Sequence, residues 1–174
     1  MFALSQELEK LGDALLRRAD NPFGLYATVE DGEAAFFPRD GAGSTARVLL
    51  AAQAMARVYR LVPKPEYQEF IYDQLGWLFG VNPEGLCLLE GIGDAPAPLV
   101  LPPSGKTRGD CAGLFLNGFA ARTPDDDRPW LPKAEAEAPT EATNGFSLSN
   151  SARFVSTLSL VKAIRTVMPD EAKK

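Results

Sequence analysis

The chain is 174 residues long, 45% hydrophobic and 24% charged, with a formal charge of -5. That length suits one domain with its own core, and the composition lies far from the low-hydrophobicity, high-charge pattern of disorder. With no basic run the chain lacks the electrostatic footprint for phosphate backbones, so nucleic acid is not an expected partner. With no histidine it can hold neither a histidine-based triad nor histidine-ligated zinc.

Residues 3–19 are predicted to form an amphipathic helix, because Leu4, Leu8, Leu11 and Leu15 recur at helical spacing with charges between them. The charges Glu7, Glu9, Lys10, Asp13, Arg17 and Arg18 interrupt any signal-peptide core, and no later apolar run approaches ~18 residues. No membrane partner is expected and, if Met1 is the true start, the location is cytoplasmic. Asn21-Pro22 stops the helix, and Gly24 to Phe37 reads as loop or a small ribbon turning at Asp31-Gly32.

Ser44 or Thr45 is the expected N-cap of a second helix running to about Leu61, with Val48, Ala51, Ala52, Met55 and Val58 or Tyr59 on its apolar face. Pro65 suits the first turn of a third helix that buries Tyr67, Phe70, Ile71, Leu75 and Leu78 and ends at Gly80 and Asn82-Pro83. A last helix begins after Ser149 or Asn150, with Phe154, Val155, Leu158, Val161 and Ile164 inward and Pro169 beyond its end. No repeat is visible along the sequence.

From Asn82 to Gly145 the chain is rich in proline and glycine and has no sustained helical period. Irregular segments of more than about 12–15 residues are often functional, so a binding surface is expected here, with a partly disordered linker as the alternative. Cys87 and Cys111 could pair, but sequence gives no distance between them, and two buried thiols are the usual outcome in a chain without a secretion signal.

Ser104-Gly105-Lys106-Thr107 fails as a phosphate loop, since Val100 stands where the first glycine belongs. Arg108-Gly109-Asp110 reads as a loop. Hydrolysis of a glycosidic bond needs one carboxylic acid on the leaving oxygen and one carboxylate for water or direct attack. Asp125, Asp126 and Asp127 read as a solvated turn, and Glu135, Glu137 and Glu141 follow in an exposed stretch. Trp130 lies in the long segment as a candidate sugar platform, whereas Trp77 falls beside core positions of the third helix.

The run Tyr72-Asp73-Gln74-Leu75-Gly76-Trp77-Leu78-Phe79-Gly80-Val81-Asn82-Pro83-Glu84-Gly85, followed by Gly91-Ile92-Gly93, resembles a signature of family 9 glycoside hydrolases, in which a helix ends in Leu-Gly-x-Asn-Pro before a Gly-x-Gly loop. Asn21-Pro22-Phe23-Gly24 and Gly43-Ser44 are similar to segments upstream of that signature. Thr143-Asn144 and Phe154-Val155 are similar to the family's Asn-Glu segment and closing helix.

The resemblance implies an all-α fold: the C-terminal portion of an (α/α)6 toroid of six helical hairpins with a long Pro/Gly-rich loop segment, residues 1–174 forming a single domain. It implies a carbohydrate partner, an oligo- or polysaccharide, and a full-length parent that hydrolyses glycosidic bonds of a β-glucan or related polymer. Gly145 stands where the family carries its catalytic glutamate, which leaves Glu141 as the candidate acid. Arg108, Asp110, Trp130 and Asn144 are the candidate substrate-binding residues; no metal or cofactor is expected. Because a toroid needs about twelve helices of ~10–14 residues, either an N-terminal portion is missing or a homo-oligomer covers the exposed faces. A noncatalytic sugar-binding module and a plain helical scaffold are the alternatives.

Overall fold

The computed structural model describes residues 2–30, 32–93, 98–101, 107–123 and 125–167. Helix α1 (Phe2–Ala19) is followed by a hairpin of β1 (Thr28–Glu30) and β2 (Glu33–Ala35). Then come helices α2 (Thr45–Tyr59) and α3 (Pro65–Leu78), a second hairpin of β3 (Ala120–Thr123) and β4 (Asp126–Trp130), a single turn α4 (Glu141–Asn144) and α5 (Leu148–Val167). Both hairpins are two-stranded antiparallel sheets. In the first, Glu30 pairs with Glu33, which leaves a two-residue connection; Asp31 lies outside the described residues.

The expected all-α toroid is therefore overturned: the described chain mixes helices with two small sheets. The physical reason lies in the Pro/Gly-rich half, where buried backbone groups need partners that no helix supplies. They find them in strand-like pairing. Leu88 donates its backbone N–H to Leu78 (2.9 Å), Leu116 to Leu88 (2.9 Å) and Asn117 to Gly145 (2.8 Å), so short extended pieces lie side by side. Bridges Phe79↔Cys87, Leu89↔Phe115 and Leu116↔Phe146 mark the same ladder. Proline is tolerated at Pro129 because a two-stranded ribbon has only edges, and Ala121, its pairing partner, sends its N–H to Pro38 instead (3.0 Å). Leu86, Leu88, Phe115, Leu116, Phe119 and Leu131 are core residues, so the described part of this half is packed structure rather than linker.

Helix α2 is central and packs against both α3 and α5. Its predicted face is buried, and so are Leu49 and Ala56. Of the two expected caps, Ser44 or Thr45, Ser44 takes the cap position, but its hydroxyl makes no cap bond. Backbone carbonyls hold the helix start instead, with Ser44 N–H on Phe119 (2.8 Å) and Thr45 N–H on Asn117 (2.9 Å). In α1, Leu4 and Leu11 are 61% and 48% exposed, and the inward stripe is Leu8, Gly12, Leu15, Leu16 and Ala19. A glycine is needed on that stripe because a Cβ at position 12 would lie 2.5 Å from the Tyr67 ring. Tyr67 hydroxyl donates to Asp13 (2.6 Å), and Lys64 joins the pair by bridging to Glu9 (2.7 Å) and Asp13 (3.4 Å).

A short repeat emerges that the sequence reading had passed over. Asn21-Pro22-Phe23-Gly24-Leu25 ends α1, and Asn82-Pro83-Glu84-Gly85-Leu86 follows α3. In each, the asparagine amide donates back to a helix-end carbonyl (Arg18, 3.2 Å; Trp77, 2.8 Å) and forward to the leucine carbonyl (Leu25, 2.6 Å; Leu86, 2.8 Å). Each glycine has φ 63°, a left-handed value that excludes most side chains. The residues that carry the family 9 resemblance thus form a helix stop. Around the two stops sits the aromatic core, in which Trp77 meets Phe23, Phe37 and Phe119 at ring distances of 6.1, 5.7 and 5.5 Å.

Candidate functional site

Side chains alternate across a strand, and the β3–β4 ribbon uses both of its faces. Asp127 points to one, where it pairs with Arg39 (3.6 Å). Arg39 also reaches Glu33 (3.7 Å), and its backbone N–H donates to Glu30 (3.4 Å). Arg47 completes this polar layer, donating to the Phe36 carbonyl (3.1 Å) and to Thr28, and lying 3.7 Å from Glu30. Burial lowers the affinity of the Arg47 guanidinium for its proton, and the nearby Glu30 charge opposes that shift. The layer fastens the second hairpin to the first and fixes the orientation of the opposite face.

That opposite face opens on a groove of about 590 Å³ lined by Trp130, Arg122, Arg128, Glu84, Lys133 and Glu137, among others. The volume lies within the ~300–1,000 Å³ of ordinary small-molecule sites. Trp130 is half-buried, held by its pairing with Ala120 while part of its indole remains accessible. Glu84 comes from the second Asn-Pro turn, its N–H donating to the Asn82 carbonyl oxygen of the amide (3.2 Å). The Lys133 ammonium contacts the Glu84 carboxylate, and Lys133 backbone N–H donates to Glu137 (2.9 Å). One lysine thus organises both groove carboxylates.

Of the candidate catalytic and substrate-binding residues, Trp130 lines this groove and the others are placed elsewhere. Arg108 makes a two-pronged pair with Glu90 (2.6 and 2.7 Å), and Glu90 is only 7% exposed. Asp110 accepts the backbone N–H and hydroxyl of Thr107 (both 2.8 Å), closing the turn that carries Arg108. Asn144 is fully buried: its amide donates to Pro98 (2.7 Å) and Pro132 (3.0 Å), and its oxygen accepts from Thr143 (2.9 Å). It therefore ties the segment after Trp130 to the loop at Pro98.

Glu141 is exposed at the first turn of α4, and its carbonyl accepts from Asn117 (2.8 Å) and Gly145 (3.1 Å). A Cβ at Gly145 would sit 2.4 Å from that carbonyl oxygen, so this backbone has no room for a glutamate at the position where the resembling family carries one. Arg122, Arg128 and Lys133 escaped the sequence reading, while Glu137 was read only as part of an exposed stretch and Glu84 only as part of the resembling run. The available signal was Arg128-x-Trp130 after an aspartate-rich turn, a spacing that puts those two on one face of a strand; the register shift at Arg122 leaves that residue without such a signal.

Cys87 and Cys111 are free and buried. Among the described residues no three histidine, cysteine or acidic side chains are grouped to hold a metal, and no helix is long and apolar enough to cross a membrane. Comparison of the chain with protein-family models, curated proteins and solved structures gave no match.

Proposed function

We propose that the chain binds carbohydrate, with an oligosaccharide lying in the groove beside Trp130. The observation that carries this reading is a half-buried indole in the wall of an open groove whose other walls are mainly charged. Pyranose rings offer C–H faces that stack on an aromatic surface, and their hydroxyls need the polar groups that Arg122, Glu84 and Lys133 supply. Glu84, the third residue of the second Asn-Pro turn, adds a carboxylate to the same groove.

Hydrolysis of a glycosidic bond is the second reading, favoured by the presence of Glu84 and Glu137 in one groove, since glycosidases flank the scissile bond with two carboxyl groups. Binding is preferred because both carboxylates already accept hydrogen bonds from Lys133, whereas a general acid must present its own proton to the leaving oxygen.

Ligand-observed NMR with gluco-, xylo-, manno- and uronic-acid oligosaccharides, followed by assay of new reducing ends in the same tubes, separates the readings. The expected result is saturation transfer to at least one sugar, lost in Trp130→Ala, without new reducing ends. Reducing ends that vanish in Glu84→Gln or Glu137→Gln would transfer the assignment to hydrolysis. Silence with every sugar would reject a carbohydrate ligand.

A further inference from the structure

The whole chain is acidic, at -5, yet among the described residues the lining of the Trp130 groove includes the cations Arg122, Arg128 and Lys133 beside the anions Glu84 and Glu137. Lys133 and Glu84 neutralise each other by direct contact. Arg122 is exposed and makes no hydrogen bond or ion pair among the described residues. It sits at the register shift between Ala121 and Thr123 and lines the same groove as the Trp130 indole.

An aromatic platform with an uncommitted guanidinium at its edge suits one class of sugar. In a hexuronic acid the carboxylate is attached at the rim of the pyranose ring, at C5. When the ring stacks on an indole, that carboxylate extends sideways, where a planar fork can take both oxygens. A neutral hexose offers only a hydroxymethyl group at the same place. We infer that the groove selects uronic-acid-containing oligosaccharides, with Trp130 as ring platform and Arg122 as carboxylate fork. This rests on the carbohydrate-binding reading above and narrows it to an anionic ligand.

The test is isothermal titration of the intact chain with trigalacturonic acid, its fully methyl-esterified form and cellotriose, at low and raised salt. A charge-assisted pair contributes about 1.5–3 kcal/mol, so the free acid should bind roughly tenfold or more tightly than its ester, with the preference shrinking as salt rises. Arg122→Gln should bring acid and ester to equal affinity, Arg122→Lys should restore part of the difference, and circular dichroism should be unchanged in both because Arg122 is exposed. Equal binding of acid and ester by the unmodified chain would overturn uronate selection while leaving sugar binding intact. Absence of binding by all three would overturn this inference together with the reading beneath it. An acid preference that survives in Arg122→Gln would remove Arg122 from the role.

Discussion

The two Asn-Pro-x-Gly-Leu turns share a backbone and differ in one side chain that decides what each region becomes. At Asn21–Leu25 the variable residue is Phe23, whose ring packs on Phe36, Phe37 and Trp77. At Asn82–Leu86 it is Glu84, which lines the groove and meets Lys133. The same asparagine clamp and left-handed glycine thus deliver an aromatic anchor to the core in one region and a carboxylate to the candidate site in the other. Stopping a helix and furnishing a site are separable, and likeness in the stop says nothing by itself about the chemistry at its third residue.

The strongest way to break the comparison is to remove what both regions lean on. Trp77 is 3% exposed and touches rings from both the first turn (Phe23) and the second half (Phe119). Trp77→Ala should cost about 3–5 kcal/mol, read from urea unfolding followed by far-UV circular dichroism. A loss below about 1 kcal/mol would contradict a core shared by the two halves.

The turns themselves come next. The Asn82 amide group makes four hydrogen bonds, to Trp77 and Leu86 carbonyls and from Glu84 and Leu86 N–H groups. That of Asn21 makes three, to Arg18 and Leu25 carbonyls and from Phe23. Asn→Ala should cost roughly 1–3 kcal/mol at each, with the larger value at position 82; the reverse order in matched denaturant titrations would show that bond number does not set the strength of the clamp.

A finer contrast is acid sensitivity. The hydrogen bond from Tyr67 is the largest cause holding the Asp13 carboxyl below its usual value, with Lys64 adding to it. A depressed carboxyl stabilises the fold above its unfolded value of about 3.9 and loses that contribution as pH falls through the folded value. Tyr67→Phe should therefore lower Tm at neutral pH, and the gap from the unmodified chain should narrow below about pH 4. A gap that stays constant on acidification would show that Asp13 is not linked to folding through Tyr67.

The smallest effect belongs to Glu84 itself. Glu84→Gln should shift stability by no more than about 0.5–1 kcal/mol, since its partner Lys133 is half exposed, in contrast to the core anchor at the equivalent Phe23. A large loss would make Glu84 a structural residue rather than a groove residue.

These elements show where sequence patterns carried through. The bounds of α2 and α3 follow from apolar spacing and from Pro65 at the start of α3. The face of α1 did not, because Leu4 and Leu11 fit the period as well as Leu8 and Leu15, and only the Tyr67 ring lodged at Gly12 selects between them. The all-α toroid failed because the residues supporting it encode a local helix stop, whereas the β3–β4 ribbon depends on long-range partners such as Pro38 and Arg39. In the site, Trp130 was visible as a lone aromatic in a polar segment. Arg122 and Arg128 were hidden by the aspartate run and by Pro129, which argue against a strand until the pairing is seen.

The most direct test of the account uses its two tryptophans as opposed reporters, one in the shared core and one in the groove. In a proton–nitrogen correlation spectrum, adding an oligosaccharide that shows saturation transfer should move the Trp130 indole N–H resonance and leave that of Trp77 in place. A shift at Trp77 with Trp130 unmoved, or no shift at either, would contradict a carbohydrate site on the β3–β4 ribbon.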